Sequence, residues 1–263
     1  MDLGLKGRVA IVTGGSEGIG KAAALRMVAE GASVAIAARR REVLERAAED
    51  IGRATEGEVM PVPTDVTKPD DVRRLVQMVV SRWGKVDILV NNAGTSAALP
   101  FESASDEEWA ADLDLKLYGA IRCAREVLPY MRERRWGRII NVTAIGGRAP
   151  AARSVPTTVS RSAGIALTKV LSKEYAEHGI LVNTVCIGLV KAAQHERRYE
   201  QLKRDDPSLT LDAYYREMGP SVPLGRVGEA GEAGDVIAFL ASERASYLTG
   251  IAINVDGGAS PVI

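Results

Sequence analysis

The chain is short of the residue types that metal centres and disulfide scaffolds require. Its 263 residues include two cysteines and two histidines. Cys123 and Cys186 are spaced for no metal motif, and two cysteines do not make a disulfide framework. His178 and His195 are too few for a His-rich site, so no metal is expected. So little cysteine fits a reducing cytoplasm. An excess of charge is also missing. Lys+Arg and Asp+Glu are both 34, for a formal net charge of zero, which removes the electrostatic case for nucleic acid or an anionic membrane as partner. No apolar run is long enough to span a bilayer, and no basic leader with an apolar core precedes the first strand-like run.

What is present is aliphatic alternation of two kinds. Hydrophobic residues make up 46 %, enough to bury both faces of a sheet in one domain spanning residues 1–263. Short apolar runs predict strands at Val9–Val12, Ser33–Ala37, Val59–Val62, Ile88–Val90, Arg138–Val142, Leu181–Cys186 and Ile251–Val255. Amphipathic stretches between them predict helices at Lys21–Glu30, Arg41–Arg53, Pro69–Trp83, Glu107–Arg134, Thr157–His178 and Asp235–Ala241. Strands apolar throughout and separated by helices imply an α/β fold with a parallel sheet buried on both faces. A polar stretch covers about Lys191–Val222, and no repeat, low-complexity tract or linker divides the chain.

The first strand runs into the first helix through Thr13-Gly14-Gly15-Ser16-Glu17-Gly18-Ile19-Gly20. Glycines there let backbone N–H groups approach a pyrophosphate, and the helix N-terminus adds partial positive charge. Three glycines alone mark an ordinary tight turn; their place at the first strand-to-helix junction gives them weight.

The spacing Gly-x-x-x-Gly-x-Gly after Thr13 resembles the short-chain dehydrogenase/reductase family, and further matches follow in order. They are Asp65-Val66 after the third strand, Asn91-Asn92-Ala93-Gly94 after the fourth, Pro223-Leu224-Gly225-Arg226 and Asp256-Gly257-Gly258. The resemblance covers essentially the whole chain and implies a Rossmann-type doubly wound parallel sheet in a three-layer α/β/α fold. It implies a dinucleotide held by Gly14, Ser16, Gly18, Ile19 and Gly20, by Asp65 and Val66 at the adenine, and by Asn92, Ala93 and Gly94. Ile187 and Gly188, in place of the family's Pro-Gly, are expected at the nicotinamide. NAD-selective members end the second strand on an acid; here Ala38 is followed by Arg39 and Arg40. An arginine clamps a 2′-phosphate with charge-assisted hydrogen bonds, so NADP rather than NAD is expected, with Arg39 as the clamp. The bland alternative is a pair of solvated helix-start charges, and Glu17 opposes a phosphate if it faces one.

The same resemblance locates four positions where the family keeps its chemistry, and all four differ. The serine position after the fifth strand is Ala144. The tyrosine and lysine positions, in Thr157-Thr158-Val159-Ser160-Arg161, are Thr157 and Arg161. The asparagine position of the long helix is Lys116. The gap from Ala144 to Thr157 fits the family without insertion, so the register holds. A threonine hydroxyl is far too weak an acid to replace a phenol, and a guanidinium does not give up its proton. Arg161 can still hydrogen-bond a cofactor ribose. A desolvated lysine does exchange protons near neutral pH, so Lys116 is the candidate acid, against the alternative of an ion-paired structural lysine. Thr143, one residue from Ala144, points to the other face of its strand. Tyr118 and Tyr175 are read as packing residues, Arg148 and Arg153 as solvated loop charges.

The family implies a lid over the substrate at about 191–222; its charged segments, His195-Glu196-Arg197-Arg198 and Lys203-Arg204-Asp205-Asp206, argue against a greasy slot. The family also implies a homotetramer or homodimer built on the two long helices. The expected activity is an NAD(P)-dependent oxidoreductase acting on a small-molecule carbonyl or alcohol by a variant mechanism. A non-redox lyase, hydratase or isomerase, or a non-catalytic NADP-binding regulator, stays open at this point.

Overall fold

Alternation along each strand decides which layer a residue joins. In β1 (Val9–Thr13), Ala10 and Val12 enter one apolar cluster while Val9 and Ile11 enter the other. The computed structural model describes residues 2–263, with the backbone alone at 193, 194 and 197. The Gln194 and Arg197 side chains of the charged stretch thus lie outside the described residues.

After β1 come α1 (Gly18–Ala29), β2 (Ser33–Ala38), α2 (Arg41–Thr55), β3 (Val59–Pro63), α3 (Pro69–Trp83) and β4 (Ile88–Asn91). Next are α4 (Asp106–Leu113), α5 (Gly119–Arg134), β5 (Gly137–Ala144), α6 (Thr157–Glu174) and β6 (Ile180–Ile187). The chain ends with α7 (Ala193–Asp205), α8 (Leu211–Met218), α9 (Ala230–Ala241) and β7 (Ala252–Val255). The seven strands form one parallel sheet in the order β3-β2-β1-β4-β5-β6-β7. Helices α1, α2 and α9 cover one face; α3, α5 and α6 cover the other. This is the doubly wound three-layer arrangement expected, and its strand order reverses between β1 and β4. A crevice opens there beyond the carboxyl ends of the strands, the place where such sheets bind ligands.

The long helix expected over Glu107–Arg134 is present with a fault in it. Between α4 and α5, residues Asp114–Tyr118 form a turn of π-helix. Such wide turns push one residue out of register and recur at functional sites. Lys116 sits in it.

The polar stretch at 191–222 is more ordered than its charge implies. It folds as α7 and α8, whose Tyr199, Tyr214 and Tyr215 pack with Val227 into a third apolar cluster. Two-residue strands at Ala98–Leu99 and Val155–Pro156 pair antiparallel beside the main sheet. Among the described residues no helix is long and apolar enough to cross a membrane.

Candidate active site

One hydroxyl organises the crevice. Thr13, at the end of β1, is 1 % exposed. Its Oγ1 accepts from the backbone N–H groups of Asn92 at 3.0 Å and Ala93 at 3.1 Å, and donates to the Val90 carbonyl at 3.3 Å. Asn92 returns the contact, its Nδ2 donating to the carbonyls of Thr13 and Gly14, each at 3.1 Å. The ends of β1 and β4 are thereby clasped together. The clasp leaves no room for a side chain at Gly20, where a Cβ would lie 2.3 Å from the Gly14 carbonyl oxygen and 2.5 Å from Asn92 Nδ2. Gly14 itself has φ +64°, a conformation glycine adopts freely.

Helix α1 therefore starts at Gly18, three residues earlier than its apolar pattern shows, with Glu17 as an N-cap whose side chain caps nothing. Lys21 N–H reaches the Glu17 carbonyl, but the amides of Gly18, Ile19 and Gly20 meet no acceptor among the described residues. A row of free amides at a helix mouth fits a pyrophosphate. At the end of β2, Arg40 is ion-paired with Glu17, which neutralises the acid that would oppose a phosphate. Arg39 is exposed, and it makes no hydrogen bond or ion pair among the described residues. Its charge bears on Asp65, whose carboxylate is held below its ordinary range: desolvation pushes up, and the Thr67 hydroxyl and N–H, at 2.8 and 3.0 Å, with Arg39 and Lys68, outweigh it. Ser16 lies buried in the glycine turn, and Val66 packs against Gly119 at the start of α5.

The second half of the crevice is ionic and buried. Lys116 projects from the π turn with its side chain 1 % exposed. It is ion-paired with Asp112 and donates to Thr157 Oγ1 at 3.0 Å. Thr157 begins α6 and also accepts from the Ala97 N–H at 2.8 Å. Ser160 Oγ, on the next turn of α6, donates to the second oxygen of Asp112 at 2.6 Å. Burial pulls the Lys116 pKa from 10.5 down to about 8; the Asp112 hydrogen bond pushes it up, Arg161 pulls it down, and the Asp112 charge adds a further upward push. Arg161 donates to the Val142 carbonyl at 2.8 Å, and burial acts against its charge, with Asp112 and Cys186 opposing. Gly94 fits between these cations: a Cβ there would lie 3.0 Å from Arg161 Nη2 and 3.5 Å from Lys116 Cγ. Thr13, Asn91, Lys116, Val142 and Arg161 help to line a cavity of about 10 Å³, and Asn91 Oδ1 and Arg161 Nε are both buried with no hydrogen-bond partner among the described residues.

The residues picked from the sequence thus fall into two groups that meet in one crevice. Thr13, Gly14, Gly20, Asn92 and Ala93 form the clasp. Gly94, Lys116, Thr157 and Arg161 form the ionic half, and Ala144 and Ile187 lie side by side in the β5–β6 register. Gly188 donates its N–H to Val255. Thr143 faces away as alternation requires, bonded to Cys186 Sγ at 3.3 Å. Two readings change. Arg148 is not a solvated loop charge but donates to the Ala252 carbonyl at 3.1 Å and Asn254 Oδ1 at 3.0 Å. Tyr118 is 52 % exposed, under the Arg122 guanidinium, and does not pack inside. Sequence reasoning missed Asp112 and Ser160; the i, i+4 spacing of Asp112 and Lys116 was the available signal.

Known proteins resemble this chain along its whole length. Residues 14–260 match a family model described as enoyl-(acyl carrier protein) reductase. The chain is 33 % identical over 254 residues to the 3-oxoacyl-(acyl-carrier-protein) reductase FabG of Thermotoga maritima, covering 97 % of this chain and 98 % of that one. It is also 33 % identical to an uncharacterized oxidoreductase of Mycobacterium bovis, over 97 % of each chain. The crystal structure of L-sorbose reductase from Gluconobacter frateurii, complexed with NADPH and L-sorbose, superposes with a TM-score of 0.95 at 33 % identity over the whole of both chains. Levodione reductase superposes at 0.89, with 30 % identity over 98 % of this chain and 99 % of that one. The chain belongs to the short-chain dehydrogenase/reductase family of NAD(P)-dependent oxidoreductases.

The clasp yields a prediction. Thr13→Val keeps the shape and removes the acceptor of two amides and the donor to Val90. Urea denaturation is expected to show a loss of about 2–4 kcal/mol. A loss below about 0.5 kcal/mol would mean that the hydroxyl does not organise the crevice.

Proposed function

We propose that the protein is an NADP-dependent oxidoreductase that interconverts a small polar carbonyl compound and its alcohol, with Lys116 rather than a phenol as the source of the proton. The observation that carries the cofactor half is the row of unclaimed amides at Gly18, Ile19 and Gly20, where the strand order reverses. Those amides would hold the pyrophosphate, Asp65 and Val66 would border the adenine, and Arg39 would take the 2′-phosphate. The solved relative that carries NADPH supports the same choice of cofactor. Arg161, Ile187 and Gly188 would border the nicotinamide riboside. When bound, the reduced dinucleotide supplies the hydride; the chain's own residues orient the substrate and manage one proton.

The four positions where the family keeps serine, tyrosine, lysine and asparagine are taken as Ala144, Thr157, Arg161 and Lys116. Ala144 has no hydroxyl to hold a carbonyl oxygen. Thr157 is a ring shorter than tyrosine, so the reacting oxygen must sit close to the start of α6, which favours a small substrate. Lys116, desolvated and next to Thr157, is the group there whose pKa lies near neutrality. Residues 191–222, built as α7 and α8, form the lid of the single domain, and the polar surface of α7 suits a hydrophilic substrate. The relatives named above are reductases or oxidoreductases, which favours redox chemistry over a lyase or a regulator on the same fold. The protein is taken to work in the cytoplasm as a homotetramer or homodimer. Val159 and Val170, three turns apart on α6 and 44 % and 60 % exposed, mark the helix face that a second copy would cover.

Three measurements test this reading. Fluorescence titration should show NADPH binding at least about tenfold tighter than NADH, with Arg39→Ala weakening NADPH alone; equal affinities would contradict the clamp. NADPH oxidation should appear across a panel of small ketones that includes L-sorbose, and Lys116→Met should lower kcat by about 100-fold or more. No turnover, or turnover undiminished in the variant, would remove the proton assignment. Sedimentation velocity should give a dimer or tetramer, and a monomer would refute the α6 interface.

A further inference from the structure

The side chains that meet at Lys116 include a carboxylate with no part in the reading above. Asp112 lies four residues before Lys116, in the last turn of α4, and its side chain is 2 % exposed. Both of its oxygens are engaged, Oδ1 by the Lys116 ammonium and Oδ2 by the Ser160 hydroxyl. On the far side of the ammonium stands Thr157. Its Oγ1 accepts from Lys116 and from the Ala97 N–H, which occupies both lone pairs. The hydroxyl proton of Thr157 has no acceptor among the described residues. The hydrogen bonds therefore have one sense: from Lys116 into Asp112, from Lys116 into Thr157, and from Thr157 outward.

A buried ammonium with no counter-charge sheds its proton at neutral pH, whereas one with an adjacent carboxylate keeps it. The charged and titratable groups facing Lys116 are Asp112 on its own helix and Arg161 on α6, with opposite effects. Thr157 adds a neutral hydroxyl, and the loop after β4 brings the bare backbone of Gly94. We propose that Asp112 is a positioning residue, clamped by Ser160, that keeps Lys116 protonated and aimed at Thr157, so that the Thr157 hydroxyl delivers the proton to the substrate oxygen.

This deepens the oxidoreductase reading and rests on it. As the carbonyl carbon gains a hydride from the reduced dinucleotide, the O–H bond of Thr157 breaks and an O–H bond forms on the substrate oxygen. In the same motion an N–H bond of Lys116 breaks and its proton restores the Thr157 hydroxyl. Lys116 is left as the neutral amine beside the Asp112 carboxylate, and a proton from water reloads it. No free threonine alkoxide forms, which removes the objection that threonine is too weak an acid to act alone.

The test is a direct titration of Lys116 in the full chain, free of substrate and cofactor. NMR of protein labelled with carbon-13 at lysine Cε reads the protonation state, and the Lys116 signal is the one missing from Lys116→Met. The expected midpoint is near 8 in the parent. Asp112→Asn should move it to lower pH by about one unit or more, because the push toward the charged form is lost. Asp112→Glu should restore part of the shift. Ser160→Ala, which removes one hydroxyl and keeps the fold, should move the midpoint in the same direction by less. A midpoint that stays put in both Asp112→Asn and Ser160→Ala overturns the proposal. Failure of the parent to bind NADPH would sink the oxidoreductase reading while leaving this titration intact, so the two failures are distinguishable.

Discussion

Everything at the carboxyl edge of the sheet depends on the reciprocal bonding of Thr13 and Asn92. A parallel sheet leaves the backbone at its strand ends without ladder partners, and those groups need acceptors and donors from elsewhere. Here one threonine hydroxyl and one carboxamide serve the ends of both β1 and β4. The cost is space: with Asn92 reaching the Gly14 carbonyl, Gly20 has no room for a Cβ. Local hydrogen bonding thus dictates the glycines, and the glycines bring the first turn of α1 to the crevice with its amides free. Free amides at a helix mouth are what a phosphate would need, so closing the sheet would also prepare the proposed site.

The other half of the crevice follows from burial of charge. Placing an ammonium and a guanidinium side by side in a low-dielectric setting costs several kcal/mol for each ion unless hydrogen bonds and a counter-charge compensate. Asp112 supplies the counter-charge for Lys116, and the Val142 carbonyl takes one edge of Arg161. Asp112 in the last turn of α4 and Lys116 in the π turn at Asp114–Tyr118 both turn inward, at i, i+4 spacing. A group of this kind carries no redox capability itself. On the proposed reading it would hold the one proton that is left to the polypeptide when a dinucleotide supplies the hydride.

The fold was readable because the central strands are largely apolar on both sides and helices such as α2 and α3 carry a clear stripe, so two independent periods agree. Helix starts were less readable where no apolar residue marks them. α1 begins at Gly18 and α9 at Ala230, the latter fixed by a Glu229–Glu232 capping box rather than by hydrophobic pattern. The helices after Lys191 were not legible in that polar stretch because the residues that pack there are far apart in sequence: Tyr199 meets Tyr214 and Tyr215 only after α7 and α8 have formed. In the crevice, motif spacing placed Lys116, Ala144, Thr157 and Arg161, but could not tell what Lys116 touches. The Lys116–Thr157 and Ser160–Asp112 hydrogen bonds join residues 41 and 48 positions apart. The role of Arg148 depended likewise on β7, more than a hundred residues away.

The central claim is that the clasped glycine turn and the buried Asp112–Lys116–Thr157 group are two ends of one dinucleotide site. A crystal structure of the protein with NADPH tests it most directly. The account predicts the 2′-phosphate against Arg39, the pyrophosphate on the amides of Gly18, Ile19 and Gly20, and C4 of the nicotinamide facing the space beside the Thr157 hydroxyl. A dinucleotide bound elsewhere, or a nicotinamide pointing away from Thr157 with Lys116 unchanged in its contacts, would contradict it.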